Sequence, residues 1–290
     1  MNCIEVQNLK HTFNESEAVL KDVNIAVPEG VICGFLGKNG AGKTTSLKLI
    51  LGLLKIQQGD VKIFGKSMAT SRISILKKTG TLIESPSFYA HLSARQNLNV
   101  LRRIYNVPTS RVDEVLKLVG LDKTGKKMVR KFSLGMKQRL SIGMALLHQP
   151  RLLILDEPTN GLDPKGIIEM RDLLVKLNKE LGITVLVSSH LLSEIEKIIN
   201  HLIILNEGTV AFQGSFDELK SLQSSRNCVI VETNDIPKTV DVIQQQGIKV
   251  LESNENEVRL EFLEKEQLAK MNNALFGAGL LIYQVTVKKD

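Results

Sequence analysis

The chain has 290 residues, 43% hydrophobic and 24% charged, which suits one large α/β domain with or without an appendage and excludes a largely disordered or collagen-like polymer. Cys3, Cys33 and Cys228 are too few and too scattered for a disulfide framework or a thiolate zinc site, and no apolar run reaches the ~20 residues of a membrane span. The net charge of +7 is concentrated: residues 66–139 hold 16 Lys and Arg against 4 Asp and Glu.

In chain order, Ile4–Leu9, Val19–Val27 and Val61–Phe64 read as short strands, with a turn at Pro28-Glu29-Gly30. Val31–Leu36 is a continuous apolar run of strand length, the pattern of a strand buried on both faces. A glycine-rich loop follows, and then a helical pattern from Lys43 to Leu54. From about Arg72 to Lys137 the pattern is mainly helical: Leu98, Leu101 and Tyr105 share one face, as do Val112, Val115, Leu116 and Val119. Leu152–Leu155 and Thr184–Ser188 read as strands, with Met170, Leu173, Leu174 and Leu177 marking a helix between them. Strands alternating with helices predict a parallel sheet. Ile203–Leu205, Asn206-Glu207-Gly208 and Thr209–Phe212 predict a hairpin.

A helical stretch after Gly214 leads to the polar Gln223-Ser224-Ser225-Arg226-Asn227, read as a linker. Beyond it Val229/Val231, Val240/Ile243, Val258/Leu260/Phe262, Leu268/Met271/Leu275 and Leu280–Val287 alternate between strand and helix periods. A βαββαβ module fits this order. The expected organisation is thus a larger domain over 1–222, with a helical subdomain near 72–137, and an α+β module over 227–290.

Gly37-Lys38-Asn39-Gly40-Ala41-Gly42-Lys43-Thr44 fits G-x-x-x-x-G-K-[ST]. Its glycines let the backbone curl so that successive N–H groups point at phosphate oxygens, and the helix opening near Lys43 adds its positive end. Lys43 is expected to neutralise phosphate charge and the Thr44 hydroxyl to ligate Mg²⁺, with Thr45 beside it. Leu152–Leu155 then places Asp156 at the carboxyl end of a core strand, the edge at which open α/β sheets bind ligands. There Asp156 can complete a Mg²⁺ shell, and Glu157 is placed to polarise a water.

Such loops serve many nucleotide-hydrolysing enzymes. The discriminating stretch is Lys131-Phe132-Ser133-Leu134-Gly135-Met136-Lys137-Gln138-Arg139, just upstream of Leu152–Glu157, which resembles the signature of ATP-binding cassette (ABC) proteins. The family's other motifs match in order: Phe13 for the aromatic that stacks on adenine, Asn160-Gly161-Leu162-Asp163 for the D-loop, Ser188-Ser189-His190 for the switch histidine. The resemblance spans residues 3–215 and implies an α/β P-loop ABC ATPase cassette: a mixed sheet core, an antiparallel β subdomain and a helical subdomain. It implies ATP and Mg²⁺ as cofactors and a homodimer or paired cassette when ATP is bound. In that dimer Ser133 and the Gly135 amide meet the γ-phosphate held by the other subunit, while His190 orients Glu157.

It further implies a separate integral-membrane permease and a cytoplasmic subunit attached peripherally to the inner face of the membrane. The polar opening MNCIEVQNLK is consistent with no signal peptide. The basic segment then faces phosphates and an anionic leaflet, not nucleic acid. Two departures stand out. The signature has Leu134 and Met136 where Gly and Gln are usual. Glu84 stands where the family has glutamine, so a carboxylate there is expected to touch Mg²⁺ and the nucleotide. The stretch Gly80–Tyr89, including Ser85-Pro86-Ser87, resembles the bacitracin and lantibiotic self-protection branch of exporters. The main competing reading is a soluble ABC ATPase that acts on ribosomes or nucleic acid.

Overall fold

Strands β1 (Asn2–Asn14) and β2 (Glu17–Pro28) pair antiparallel and turn Ile4, Val6, Leu9, Leu20, Val23, Ile25 and Val27 into the core. Both run beyond their apolar stretches, because bulged pairing carries the polar ends along. Strand β3 (Ile32–Leu36) is buried throughout, as its unbroken apolar run predicts. Helix α1 (Lys43–Ile50) stops short of Leu54 because Gly52 takes a left-handed φ of +63°. This computed structural model describes residues 1–14, 17–84, 88–226 and 228–288 and divides into two units, Met1–Phe216 and Asp217–Asp290.

Strands β4 (Gln58–Ile63) and β5 (Lys66–Ser67) extend the antiparallel part, and helix α2 (Met68–Leu76) follows. Within the stretch read as mainly helical, Thr79–Leu82 is a strand, β6, at the edge of the main sheet. Four residues give too little alternation to reveal it. A Cβ on Gly80 would lie 2.5 Å from the Ala145 carbonyl, so this strand requires glycine where a helix backs onto it.

Helices α3 (Ala94–Tyr105), α4 (Thr109–Leu118) and α5 (Leu134–Leu146) form the helical part. Ser93 and Gln96 close a capping box on α3, and Val112, Val115, Leu116 and Val119 are buried as their spacing predicts. Tyr105 departs from its expected buried face: it is 44% exposed and stacks on His148, ring centroids 4.6 Å apart.

Strand β7 (Leu152–Leu155), helix α6 (Pro164–Leu181), strand β8 (Thr184–Ser189) and the hairpin β9 (His201–Asn206)–β10 (Thr209–Ser215) complete the larger sheet. Its order is β5-β4-β1-β2-β10-β9-β3-β8-β7-β6. Strands β6, β7, β8, β3 and β9 are parallel neighbours, so the carboxyl ends of β3, β7 and β8 open on one edge. At the hairpin Glu207 and Gly208 both have positive φ, +46° and +76°, which a two-residue turn of matching twist requires.

Helix α7 (Phe216–Arg226), all but its first residue in the second unit, runs through four of the five residues read as linker; Asn227 lies outside the described residues, as do Ser85, Pro86 and Ser87. Polar Gln and Ser do not by themselves break a helix. The rest is β11 (Cys228–Thr233), α8 (Ile236–Gln245), β12 (Val250–Ser253), β13 (Glu257–Glu261), α9 (Lys265–Gly277) and β14 (Ile282–Lys288). Its antiparallel sheet runs β12-β13-β11-β14, the split βαβ order. Val229, Val231, Val258, Leu260, Ile243, Met271 and Leu275 form a core of its own.

Candidate active site

The phosphate loop leaves β3 at Gly37 and enters α1 at Gly42. Gly42 has φ +102°, and a Cβ there would meet Leu20 Cδ2 at 2.6 Å, so only glycine gives this turn. No side chain caps α1, which leaves its first-turn amides facing the loop. Asn39, Gly40, Gly42, Lys43, Thr44, Thr45, Glu157 and Val19 line a cleft of ≈ 260 Å³. Ala41 is buried behind it, and its N–H donates to the Lys38 carbonyl.

Three charged groups converge at the strand ends. Lys43 is 6% exposed; its Nζ donates to the Gly37 carbonyl at 2.8 Å and lies 3.3 Å from Glu157 Oε1. The other Glu157 oxygen lies 3.2 Å from His190 Nδ1. Glu157 holds a left-handed φ of +45°, unusual for a residue with a Cβ, and its N–H donates to Ser188 Oγ. Asp156 accepts from Thr44 Oγ1 at 2.8 Å and from Ser188 Oγ at 2.6 Å. Ser188 therefore stitches β8 to β7 through both acidic residues.

A hydroxyl and a carboxylate meeting at Thr44 and Asp156 are the oxygen donors that Mg²⁺ prefers. No group of three or more His, Cys, Asp and Glu side chains among the described residues could hold a metal alone.

The remaining predicted site residues lie away from this cluster. Glu84, left-handed at φ +60°, places its carboxylate on Lys48 Nζ at 2.5 Å, and the cleft is lined without it. Phe13 is 59% exposed and edge-on to His11, centroids 4.7 Å apart. Ser133 caps α5, its Oγ accepting from Met136 N, with Gly135 in the first turn. Asp163 caps α6 by accepting from Gly166 N at 3.0 Å. No α5 residue lines the phosphate-loop cleft.

Sequence reading passed over Thr159, Ser188, Ser189, Glu194 and Lys48. The serines lie inside a quoted motif whose histidine took the attention. Lys48 gives no signal beyond its place on α1, facing a carboxylate 36 residues away.

Residues 20–160 match a family model described as ABC transporter. The chain is 43% identical over 289 residues to the Bacitracin transport ATP-binding protein BcrA of Bacillus licheniformis, covering 99% of this chain and 94% of that protein. It is 38% identical over 224 residues to the Lantibiotic transport ATP-binding protein SrtF of Streptococcus pyogenes, covering 77% of this chain and 96% of that protein. Among solved structures, cbiO1 from Clostridium perfringens, part of the ABC transporter complex cbiONQ, superposes with a TM-score of 0.70 at 29% identity over 76% of this chain and 91% of that one.

Proposed function

The chain belongs to the ATP-binding subunits of ABC transporters, and we propose that it drives a separate membrane permease exporting a peptide antibiotic of the bacitracin or lantibiotic kind. The observation that carries this reading is similarity to the Bacillus licheniformis protein along 99% of the chain, the C-terminal module included. No helix among the described residues is long and apolar enough to cross a membrane, so the reading assigns the pathway to a partner. It places the subunit in the cytoplasm against the membrane's inner face, with residues 1–222 as the ATP-binding domain and 227–290 as an accessory module.

The chemistry follows from the convergent groups. Lys43 turns from Glu157 and the Gly37 carbonyl to the β- and γ-phosphates, joined by the first-turn amides of α1. Thr44 and Asp156 would hold Mg²⁺, which when bound would neutralise phosphate charge. Glu84 would join them only by leaving Lys48. Released from Lys43, Glu157 orients a water and takes its proton as the water oxygen bonds to the γ-phosphorus. The bond to the β–γ bridging oxygen then breaks, leaving ADP and phosphate. His190 fixes the Glu157 carboxylate. Phe13, exposed beside the cleft-forming strands, stacks on adenine. Ser133 and Gly135 of a second copy, together with Asp163 at its D-loop, close the site across a homodimer.

Co-expression with its permease in a sensitive host tests the reading. Wild-type chain should raise the inhibitory concentration of bacitracin or a lantibiotic, and the Glu157→Gln chain should not. No protection against either class would overturn the substrate assignment.

A further inference from the structure

One carboxylate outside the cleft links the segments that carry the Glu157–His190 pair. Glu194 lies in a short 3₁₀ turn, Leu192–Glu194, just past His190. Its Oε2 accepts from Thr159 Oγ1 at 2.8 Å and from Ser189 Oγ at 2.9 Å. Thr159 is two residues beyond Glu157 and 2% exposed; Ser189 immediately precedes His190 and is 1% exposed. Ser189 Oγ also receives the Leu191 N–H at 3.0 Å, which fixes the backbone on the far side of His190. The turn that presents Glu194 is itself held: Arg171 of α6 donates from Nε and a terminal nitrogen to the Glu194 and Ser193 carbonyls.

We propose that Glu194 is a positioning residue: it ties the loop after Glu157 to the end of β8 and so sets the distance between Glu157 and His190. The inference rests on the reading that these two residues act at the γ-phosphate. The physical case is one of burial and connectivity. The Thr159 hydroxyl, almost out of contact with water, finds its acceptor in Glu194 Oε2, and the Ser189 hydroxyl lies between that same oxygen at 2.9 Å and the Leu191 carbonyl at 3.0 Å. The Glu157 N–H···Ser188 bond stitches the strands on one side of the pair, and Glu194 stitches them on the other. With only the first stitch, His190 can swing about the end of β8. Misplacing His190 relative to Glu157 costs catalysis far more than binding when the phosphate grip is untouched.

Single-turnover hydrolysis by the full chain, in excess over ATP, tests this. Glu194→Ala should slow hydrolysis by about tenfold to 10²-fold. Affinity for a fluorescent ATP analogue should change by no more than about twofold, since no phosphate-loop contact is lost. Glu194→Gln keeps an acceptor oxygen at the same reach and should recover most of the rate. Thr159→Val and Ser189→Ala should each slow the step, and neither should add its full effect to Glu194→Ala. An unchanged rate in Glu194→Ala overturns the proposal. So does a parallel loss of rate and affinity, which marks general loosening, or a Glu194→Gln chain as slow as Glu194→Ala. If instead Glu157→Gln hydrolyses at the wild-type rate, the assignment of Glu157 fails, whatever Glu194 does.

Discussion

The Glu84 carboxylate lies 2.5 Å from Lys48 Nζ, joining the loop after β6 to the helix that opens at the phosphate loop. A carboxylate at this position would otherwise repel a γ-phosphate; paired with Lys48, its charge is locally answered. The pair is exposed, 64% on the glutamate side and 31% on the lysine side, so its worth to folding is small, about 0–1 kcal/mol. On the proposed reading its significance is mechanical: the pair tethers the loop bearing Glu84 to the helix that opens at the phosphate loop.

Glu84→Gln removes the charge and keeps the shape. ATP affinity and melting temperature should stay near wild type, while transport-coupled turnover falls. Turnover and antibiotic protection measured in membranes with the permease check this. A Glu84→Gln chain indistinguishable from wild type in both would sink the coupling role.

Glu157 shares its two oxygens between Lys43 and His190, and in the proposed mechanism it is the base while Lys43 and the α1 amides grip the phosphates. Glu157→Gln should bind ATP normally and slow hydrolysis by roughly 10²–10⁴-fold. A single-turnover assay near the wild-type rate would remove Glu157 from that role.

The phosphate loop, the acids at the end of β7 and the parallel sheet were legible because each is local: fixed spacing, a buried run, a carboxylate at its end. The same holds for the second unit, where Val229/Val231 and Val258/Leu260 alternate with the sheet's period. Strand β12 was not legible, since an exposed edge strand carries no apolar alternation. Nor were Lys48–Glu84 or Thr159–Glu194–Ser189, whose partners are brought together only by the fold across 36, 35 and 5 residues. Glu84, expected beside Mg²⁺ and the nucleotide, has its carboxylate on Lys48, a partner that its spacing in the chain does not reveal.

In the proposed homodimer Ser133 contributes to the site of the other copy. Its Oγ accepts from Met136 N at the start of α5, and the cleft is lined without α5. Ser133→Asp is a selective probe, because aspartate caps a helix as well as serine but adds a charge that repels phosphate. The substituted chain should keep its melting temperature and single-chain ATP affinity. In a Glu157→Gln background it should lose the ATP-dependent dimer seen by size-exclusion chromatography. Retention of that dimer would exclude Ser133 from a site shared between copies.

His148 gives a pH-dependent prediction. Its Nε2 faces the Thr79 carbonyl at 3.2 Å, and its buried Nδ1 has no hydrogen-bond partner. Burial pushes the imidazole pKa below its usual value, the nearby Arg111 charge acts in the same direction, and the Thr79 carbonyl opposes both. As pH falls, the unfolded chain therefore takes up this proton first, near pH ~6.5. The stability associated with neutral His148 is intact above that pH and is lost as pH falls through the lower folded value. His148→Gln retains a donor toward Thr79 without the titration. Melting temperatures measured from pH 8 to 5 should fall less steeply for His148→Gln than for wild type, the two curves diverging below pH ~6.5. Parallel curves would show that protonation of His148 has no part in the acid sensitivity of the helical region.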